Sequence, residues 1–295
     1  MFPSFLPQEV AQLTEDTSIS LARSIDRTAL MTPLSADPIC TSYIHQGLGG
    51  VPLLLLHGFD SSVLEFRRLF PLLAAKNETW AVDLLGFGFT DRPPNVGFDP
   101  PGIKQHLYSF CKTLIDQRVI LVGASMGGSV AIDFALSHPE LVKKLVLIDS
   151  AGFATGPAIG KYLFPPLGYL AARFLHRPAV RQKVSLNAYV DSRLVSVDAL
   201  LCASLHLKHP DWQRAMMAFT RSGGYTFLAG QIAQIQQPTL ILWGDSDRIL
   251  GVTDARKFEQ MISQSKLIWI ANCGHVPHLE KAQITAQHIL EFAYD

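Results

Sequence analysis

Ten consecutive residues, Val119-Ile120-Leu121-Val122-Gly123-Ala124-Ser125-Met126-Gly127-Gly128, constrain this chain more than any other stretch. Four β-forming residues run into a turn of small side chains centred on Ser125, and Ser129 to Ala135 continue as a helix. A G-x-S-x-G pattern carries weight only in that strand–turn–helix setting. The turn has to be tight for the serine hydroxyl to project past the sheet edge. Helix and strand then approach so closely that only Gly or Ala fits at 123, 124, 127 and 128. The stretch therefore predicts Ser125 as a nucleophile at the end of a buried strand.

The flanking rhythm predicts an α/β fold with a mostly parallel central sheet flanked by helices. Apolar runs of strand length stand at Val51–Leu56, Thr79–Val82, Leu145–Ile148, Pro238–Gly244 and Lys266–Ile270. Helical spacing follows Asp60–Ser62, which are expected to cap it, through Leu64, Leu69, Leu72 and Leu73; further helices are expected over Gly102–Ile115 and Ala282–Ala293. Cys40–His45 reads as an edge strand and Val10–Ile25 as loosely helical, with a linker from Thr32 to Pro38. Between Gly152 and Gly230 no strand pattern occurs, and Leu194–Leu207 and Trp212–Phe219 look helical. The expected organisation is a core of 1–151 and 231–295, with 1–38 an extension of uncertain structure, and an inserted all-helical cap over 152–230.

Composition narrows the partners. Twenty-five basic and 25 acidic residues cancel, and no basic run offers a footprint for nucleic acid. The four cysteines, Cys40, Cys111, Cys202 and Cys273, lack paired spacing, which points to buried thiols in a reducing, cytoplasmic setting. No stretch approaches the roughly 18 apolar residues of a membrane span, and Met1–Val10 has neither signal-peptide nor transit-peptide character. Membrane contact is expected to be peripheral.

A serine needs a base at neutral pH, and the base needs an acid to hold its tautomer. In strand–turn–helix hydrolases the chain order is Ser, acid, His. Asp247 follows one strand and His275 the next, so they are the expected acid and base. Asp149 is an alternative acid, and Asp245 is expected to brace its loop. His57 is expected to stabilise its turn by hydrogen bonding, and His138 to close a helix. Cys273, His275 and His278 are too closely spaced, with no second cluster, for a zinc site. The backbone N–H groups of Met126 and Phe59 are the expected oxyanion donors. That chemistry requires no metal and no organic cofactor.

These residues, with His57-Gly58-Phe59 and Asp83-Leu84-Leu85-Gly86-Phe87-Gly88, resemble the α/β-hydrolase superfamily from Val51 onward. Within it, His57 to Ser62, Ser222-Gly223-Gly224-Tyr225, Leu242-Trp243-Gly244 and Asn272 to His278 resemble the chlorophyll dephytylases. The resemblance implies a serine ester hydrolase with a long isoprenoid ester as substrate, chlorophyll yielding chlorophyllide and phytol, delivered from a photosynthetic (thylakoid) membrane. An apolar block running from Ile159 to Leu175 is compatible with that substrate.

Other readings share the same residues. A general carboxylesterase or lipase needs nothing more. A C–C bond hydrolase wants a basic group for a substrate carboxylate, for which Arg67, Arg173 and Arg177 are candidates. A cofactor-free perhydrolase is similar around Ser125, and a non-catalytic ligand receptor can keep the whole constellation. Dehalogenases and epoxide hydrolases require a carboxylate where Ser125 stands.

Overall fold

A computed structural model describes residues 1–153 and 177–295. Eight strands form one sheet: β1 (Asp26–Leu30), β2 (Ile39–Gln46), β3 (Leu53–Leu56), β4 (Thr79–Val82), β5 (Val119–Ala124), β6 (Val142–Ile148), β7 (Thr239–Gly244) and β8 (Ser265–Ile270). Their spatial order is β1-β2-β4-β3-β5-β6-β7-β8. The first two junctions are antiparallel and the other five parallel. The principal helices are α1 (Asp16–Arg23), α2 (Phe70–Ala74), α3 (Pro100–Phe110), α4 (Met126–Ser137), α5 (Pro178–Ala188), α6 (Val197–Cys202), α7 (Trp212–Ser222), α8 (Thr253–Met261) and α9 (Ala282–Tyr294).

Period-two alternation explains why the central strands are apolar throughout. Leu54, Leu56, Leu121 and Leu145 face one layer with Leu107 of α3 and Phe134 of α4. Leu53, Leu55, Ile120 and Val146 face the other with Phe70 of α2 and Ile289 of α9. Every residue of β3, β5 and β7 is buried because helices cover both faces.

Several expectations change in detail. Cys40–His45 is not an edge strand, because β1 pairs outside it. Asp26-Arg27-Thr28 hides β1 from a search for apolar alternation. Val10–Ile25 is not one helix: a turn at Gln8–Gln12 is separated from α1, and Leu13 is extended. The helix expected after Ser62 divides at Pro71, which opens α2 as a fresh start lacking a backbone donor. Ser62 caps the first piece by accepting from the Leu64 N–H, whereas Asp60 is engaged elsewhere. Asp99, not Gly102, sets the start of α3, which passes at Cys111 into a π-helical turn. Leu194–Leu207 breaks into Ser192–Leu194, α6 and Leu205–Lys208, since Ser196 caps α6 anew.

The described residues between β6 and β7 contain helices and turns but no strand. The apolar block from Ile159 to Leu175, and Arg173 with it, lies outside the described residues. No helix among the described residues is long and apolar enough to cross a membrane. All four cysteines are free thiols.

Candidate active site

The carboxyl ends of β3, β5, β6, β7 and β8 meet along one sheet edge, where side chains from distant sequence positions can converge. Ser125 follows β5 with φ 52° and ψ −119°, a strained conformation that lifts its side chain out of the strand. The strain is locked by contact: a Cβ on Gly127 would lie 1.9 Å from the Leu56 carbonyl oxygen, and one on Gly123 would lie 2.3 Å from that of Gly127. Only glycine permits the strand and α4 to pass so closely.

Asp247 and His275 occupy the turns after β7 and β8. The His275 Nε2 lies 3.0 Å from Ser125 Oγ and its Nδ1 lies 2.9 Å from Asp247 Oδ2. A carboxylate can only accept, so Nδ1–H donates to Asp247 and Nε2 is left to accept the Ser125 hydroxyl proton. Burial alone would raise the Asp247 carboxyl. The hydrogen bond and charge of His275, with the Ile249 and Leu250 N–H groups, instead bring it below its ordinary value. The acid is therefore held as a carboxylate in the position that stabilises an imidazolium.

Neighbouring acids have separate duties. Asp149 accepts the Gly244 N–H, and burial followed by the Asp247 charge raises its carboxyl well above normal. Its carboxylate approaches Asp247 and His275 to within 4.8 Å, but the His275 ring nitrogens bond Asp247 and Ser125. Asp245 braces the turn by accepting from the Asn272 and Cys273 N–H groups. Asp149, Asp247 and His275 could each turn one donor atom toward a common ion. Both His275 nitrogens are already engaged, and neither Cys273 nor His278 joins the group.

The two N–H groups expected to receive an oxyanion stand in the β3 loop and at the start of α4. A Cβ on Gly58 would stand 3.4 Å from Ser125 Cβ, so this loop lies against the serine. Met126 opens α4, where its N–H has no intrahelical acceptor. Phe59 packs its ring against Phe87 and Phe219. His57 is fully buried: its Nδ1 donates to the Gly58 carbonyl and its Nε2 accepts the Leu84 N–H at 3.1 Å. Burial lowers its pKa to about 4, keeping it neutral as a brace. His138 caps the end of α4 through its own backbone N–H, donated to Phe134, while its ring packs on Tyr108.

Two glutamates of the site carried no recognisable sequence signal. Glu65 accepts the Gly58 N–H at 3.0 Å and lies 3.2 Å from His278 Nε2, joining the serine-side loop to the histidine-side loop. Glu280 accepts from Gly274, Val190 and Asp191, tying the His275 turn to the end of α5. Glu65 is flanked by Val63, Leu64 and Phe66, an apolar setting that marks an acid with a buried partner, whereas Glu280 beside Lys281 has no such flank.

Ser125 and His275 open into a cavity of about 280 Å³ lined mainly by apolar side chains of α5, α6 and the His275 turn, including Val184, Ala188, Ala199 and Leu279. Arg67 also lines it. This arginine is buried, its Nε and Nη2 find no hydrogen-bond acceptor among the described residues, and Glu15 lies 3.9 Å away. Arg177, by contrast, is exposed at the entry to α5. Ser222-Gly223-Gly224-Tyr225 ends α7 with both glycines left-handed, and the Tyr225 ring stacks toward Phe219.

A family model described as alpha/beta hydrolase fold matches residues 51–282. Over 299 aligned residues the chain is 34% identical to the alpha/beta hydrolase domain-containing protein VTE7 of Arabidopsis thaliana, covering 99% of this chain and 90% of that protein. It is 28% identical to 2-hydroxy-6-oxo-6-(2'-aminophenyl)hexa-2,4-dienoic acid hydrolase of Metapseudomonas resinovorans, covering 88% of this chain and 89% of the relative. Among solved structures it resembles a serine hydrolase involved in carbazole degradation (CarC enzyme), with a TM-score of 0.74 and 25% identity over 91% of this chain and 98% of the other.

Proposed function

The chain belongs to the α/β-hydrolase family, and on that premise we propose that it is a serine hydrolase of bulky, largely apolar carboxylic esters. The observation that carries the reading is the continuous hydrogen-bonded line from Ser125 Oγ through His275 to Asp247. His275 Nε2 takes the serine proton as Oγ adds to the ester carbonyl. The Phe59 and Met126 N–H groups receive the oxyanion, each contributing roughly 3 kcal/mol in such sites. Asp247 stabilises the imidazolium. His275 then gives its proton to the departing alcohol, and later takes one from the water that cleaves the acyl-enzyme. No step in this sequence calls on a metal or an organic cofactor.

The finer substrate reading is a chlorophyll dephytylase, releasing phytol from chlorophyll. Support comes from the resemblance of His57–Ser62, Ser222–Tyr225, Leu242–Gly244 and Asn272–His278 to that group, and from the apolar lining of the cavity. The helices of 152–230 would act as a cap that admits the chain of the ester. Val184 and Leu186 on α5 and Val190 beyond its end are exposed apolar side chains that would serve peripheral contact with a thylakoid-type membrane. Incubating wild type and Ser125→Ala with chlorophyll a in detergent tests it. Chlorophyllide formed only by wild type supports the reading; hydrolysis of aryl esters with chlorophyll untouched removes the dephytylase and keeps the esterase.

One observation favours a second reading. The buried, incompletely paired Arg67 on the cavity wall is suited to a substrate carboxylate, as a C–C bond hydrolase acting on a keto acid would require. Turnover of a dienoic keto acid that exceeds turnover of esters would select it.

A further inference from the structure

Asp60 directly follows Phe59 and takes a left-handed φ of 51°. It is buried, and its carboxylate contacts side chains from three separate stretches between β6 and β7. Oδ1 accepts from Trp212 Nε1 at 2.7 Å, at the start of α7, and from His206 Nε2 at 3.1 Å in the Leu205–Lys208 turn. Oδ2 accepts from Arg181 of α5, whose guanidinium also lies 3.4 Å from the Ala203 carbonyl oxygen and lines the cavity. Burial would raise this carboxyl, but His206, Arg181 and Trp212 hold it at about 2, so it is an anion at neutral pH.

The location of this node matters more than its strength. Three donors tied to a carboxylate would fasten helices to a sheet anywhere along the loop. Here the anchor is one residue beyond the proposed oxyanion donor. On the other side of Phe59, the Gly58 N–H is fixed by Glu65. Phe59 is thus bracketed, with a core tether before it and a tether to the overlying helices after it. The helices over the site therefore reach the β3 loop through this short, buried carboxylate, as well as through the ring contact of Phe219 with Phe59.

We propose that Asp60 is a positioning residue, which through Arg181, His206 and Trp212 makes the aim of the Phe59 N–H depend on how the helices between β6 and β7 are seated. Filling of the cavity against α5 is thereby coupled to stabilisation of the tetrahedral intermediate. The inference rests on the serine-hydrolase reading with Phe59 as a donor.

The test uses full-length Asp60→Asn, Trp212→Phe and the double variant, with p-nitrophenyl butyrate as substrate and phenylboronic acid as a tetrahedral mimic. Asp60→Asn should lower kcat roughly tenfold to a hundredfold, short of the 10²–10³ of deleting a donor, with little change in KM. Affinity for the boronate should fall by the same factor. Trp212→Phe should act in the same direction, the double variant should be no worse than Asp60→Asn, and Asp60→Glu should restore part of the loss. A folded Asp60→Asn with kcat and boronate affinity within twofold of wild type would overturn the proposal, as would a change confined to KM or effects that multiply in the double variant. Should Asp60→Asn not fold, Trp212→Phe decides alone: unchanged kcat and boronate affinity refute the coupling. Wild type without Ser125-dependent ester hydrolysis would instead refute the parent reading.

Discussion

Asp149 and Asp247, acids from the ends of neighbouring strands, bring carboxylate oxygens within 4.8 Å of each other beside His275, and their carboxyls shift in opposite directions. Burial and then the Asp247 charge raise the Asp149 carboxyl and favour its protonated form, while the His275 hydrogen bond and charge lower Asp247. Asparagine reproduces a neutral acid here, with its oxygen toward the Gly244 N–H and its amide toward Asp247. Asp149→Asn should keep kcat/KM within a few-fold of wild type. An acid raised by folding contributes stability that is complete below its unfolded pKa and is lost as pH rises. The variant should therefore gain Tm relative to wild type progressively as pH rises above the ordinary carboxyl value of 3.8. A pH-independent difference would show that Asp149 is not the protonated partner.

Glu65 behaves in the opposite sense. Burial opposes its charge, yet the close approach of His278 Nε2, at 3.2 Å, lowers it from 4.5 to about 2. Its contribution is present above about 4.5 and fades as pH falls toward about 2. Glu65→Gln should cost roughly 1–3 kcal/mol at neutral pH. Denaturant titrations should show that difference shrinking on acidification; a constant gap would rule out an ionised Glu65 in the folded protein.

Gly127→Ala would set a Cβ against two backbone oxygens, Leu56 at 1.9 Å and His57 at 2.7 Å, neither of which can rotate away. We expect destabilisation near the upper end of the roughly 1–3 kcal/mol seen for overpacking, together with loss of turnover. A denaturant midpoint equal to wild type would mean that the serine turn is looser than described.

Asp198 of α6 accepts from the Thr14 N–H and Oγ1 and the Glu15 N–H, while Glu15 accepts from Arg68 and Ser196. The first residues of the chain thus clasp α6 onto the core. Asp198→Ala should cost roughly 1–3 kcal/mol and speed limited proteolysis ahead of α1. Cleavage there at the wild-type rate would contradict the clasp.

The sequence made the sheet legible wherever strands are buried on both faces, because Val51–Leu56 and Val119–Val122 have no other stable use. It also carried the strand-end positions of Ser125, Asp247 and His275, which the structure brings together. β1 escaped because a half-exposed edge strand such as Asp26-Arg27-Thr28 needs no apolar pattern. Thr14–Glu15 escaped because its conformation is set by Asp198, 184 residues away. Asp60, Glu65 and Glu280 escaped for a related reason: a tether is defined by what it reaches, and local spacing says nothing of Trp212, His278 or Gly274. Local spacing reads Asp60 as a helix cap, a role that Ser62 performs.

The central claim is that the Ser125 hydroxyl, with its proton passed to His275, is the attacking group. Treatment with a fluorophosphonate ester followed by peptide mass spectrometry tests it most directly. The account predicts one adduct per chain, on Ser125, forming in step with loss of esterase activity and far more slowly in His275→Ala. Ester hydrolysis that survives in Ser125→Ala, or an intact, folded wild type that is not labelled at Ser125, would contradict it.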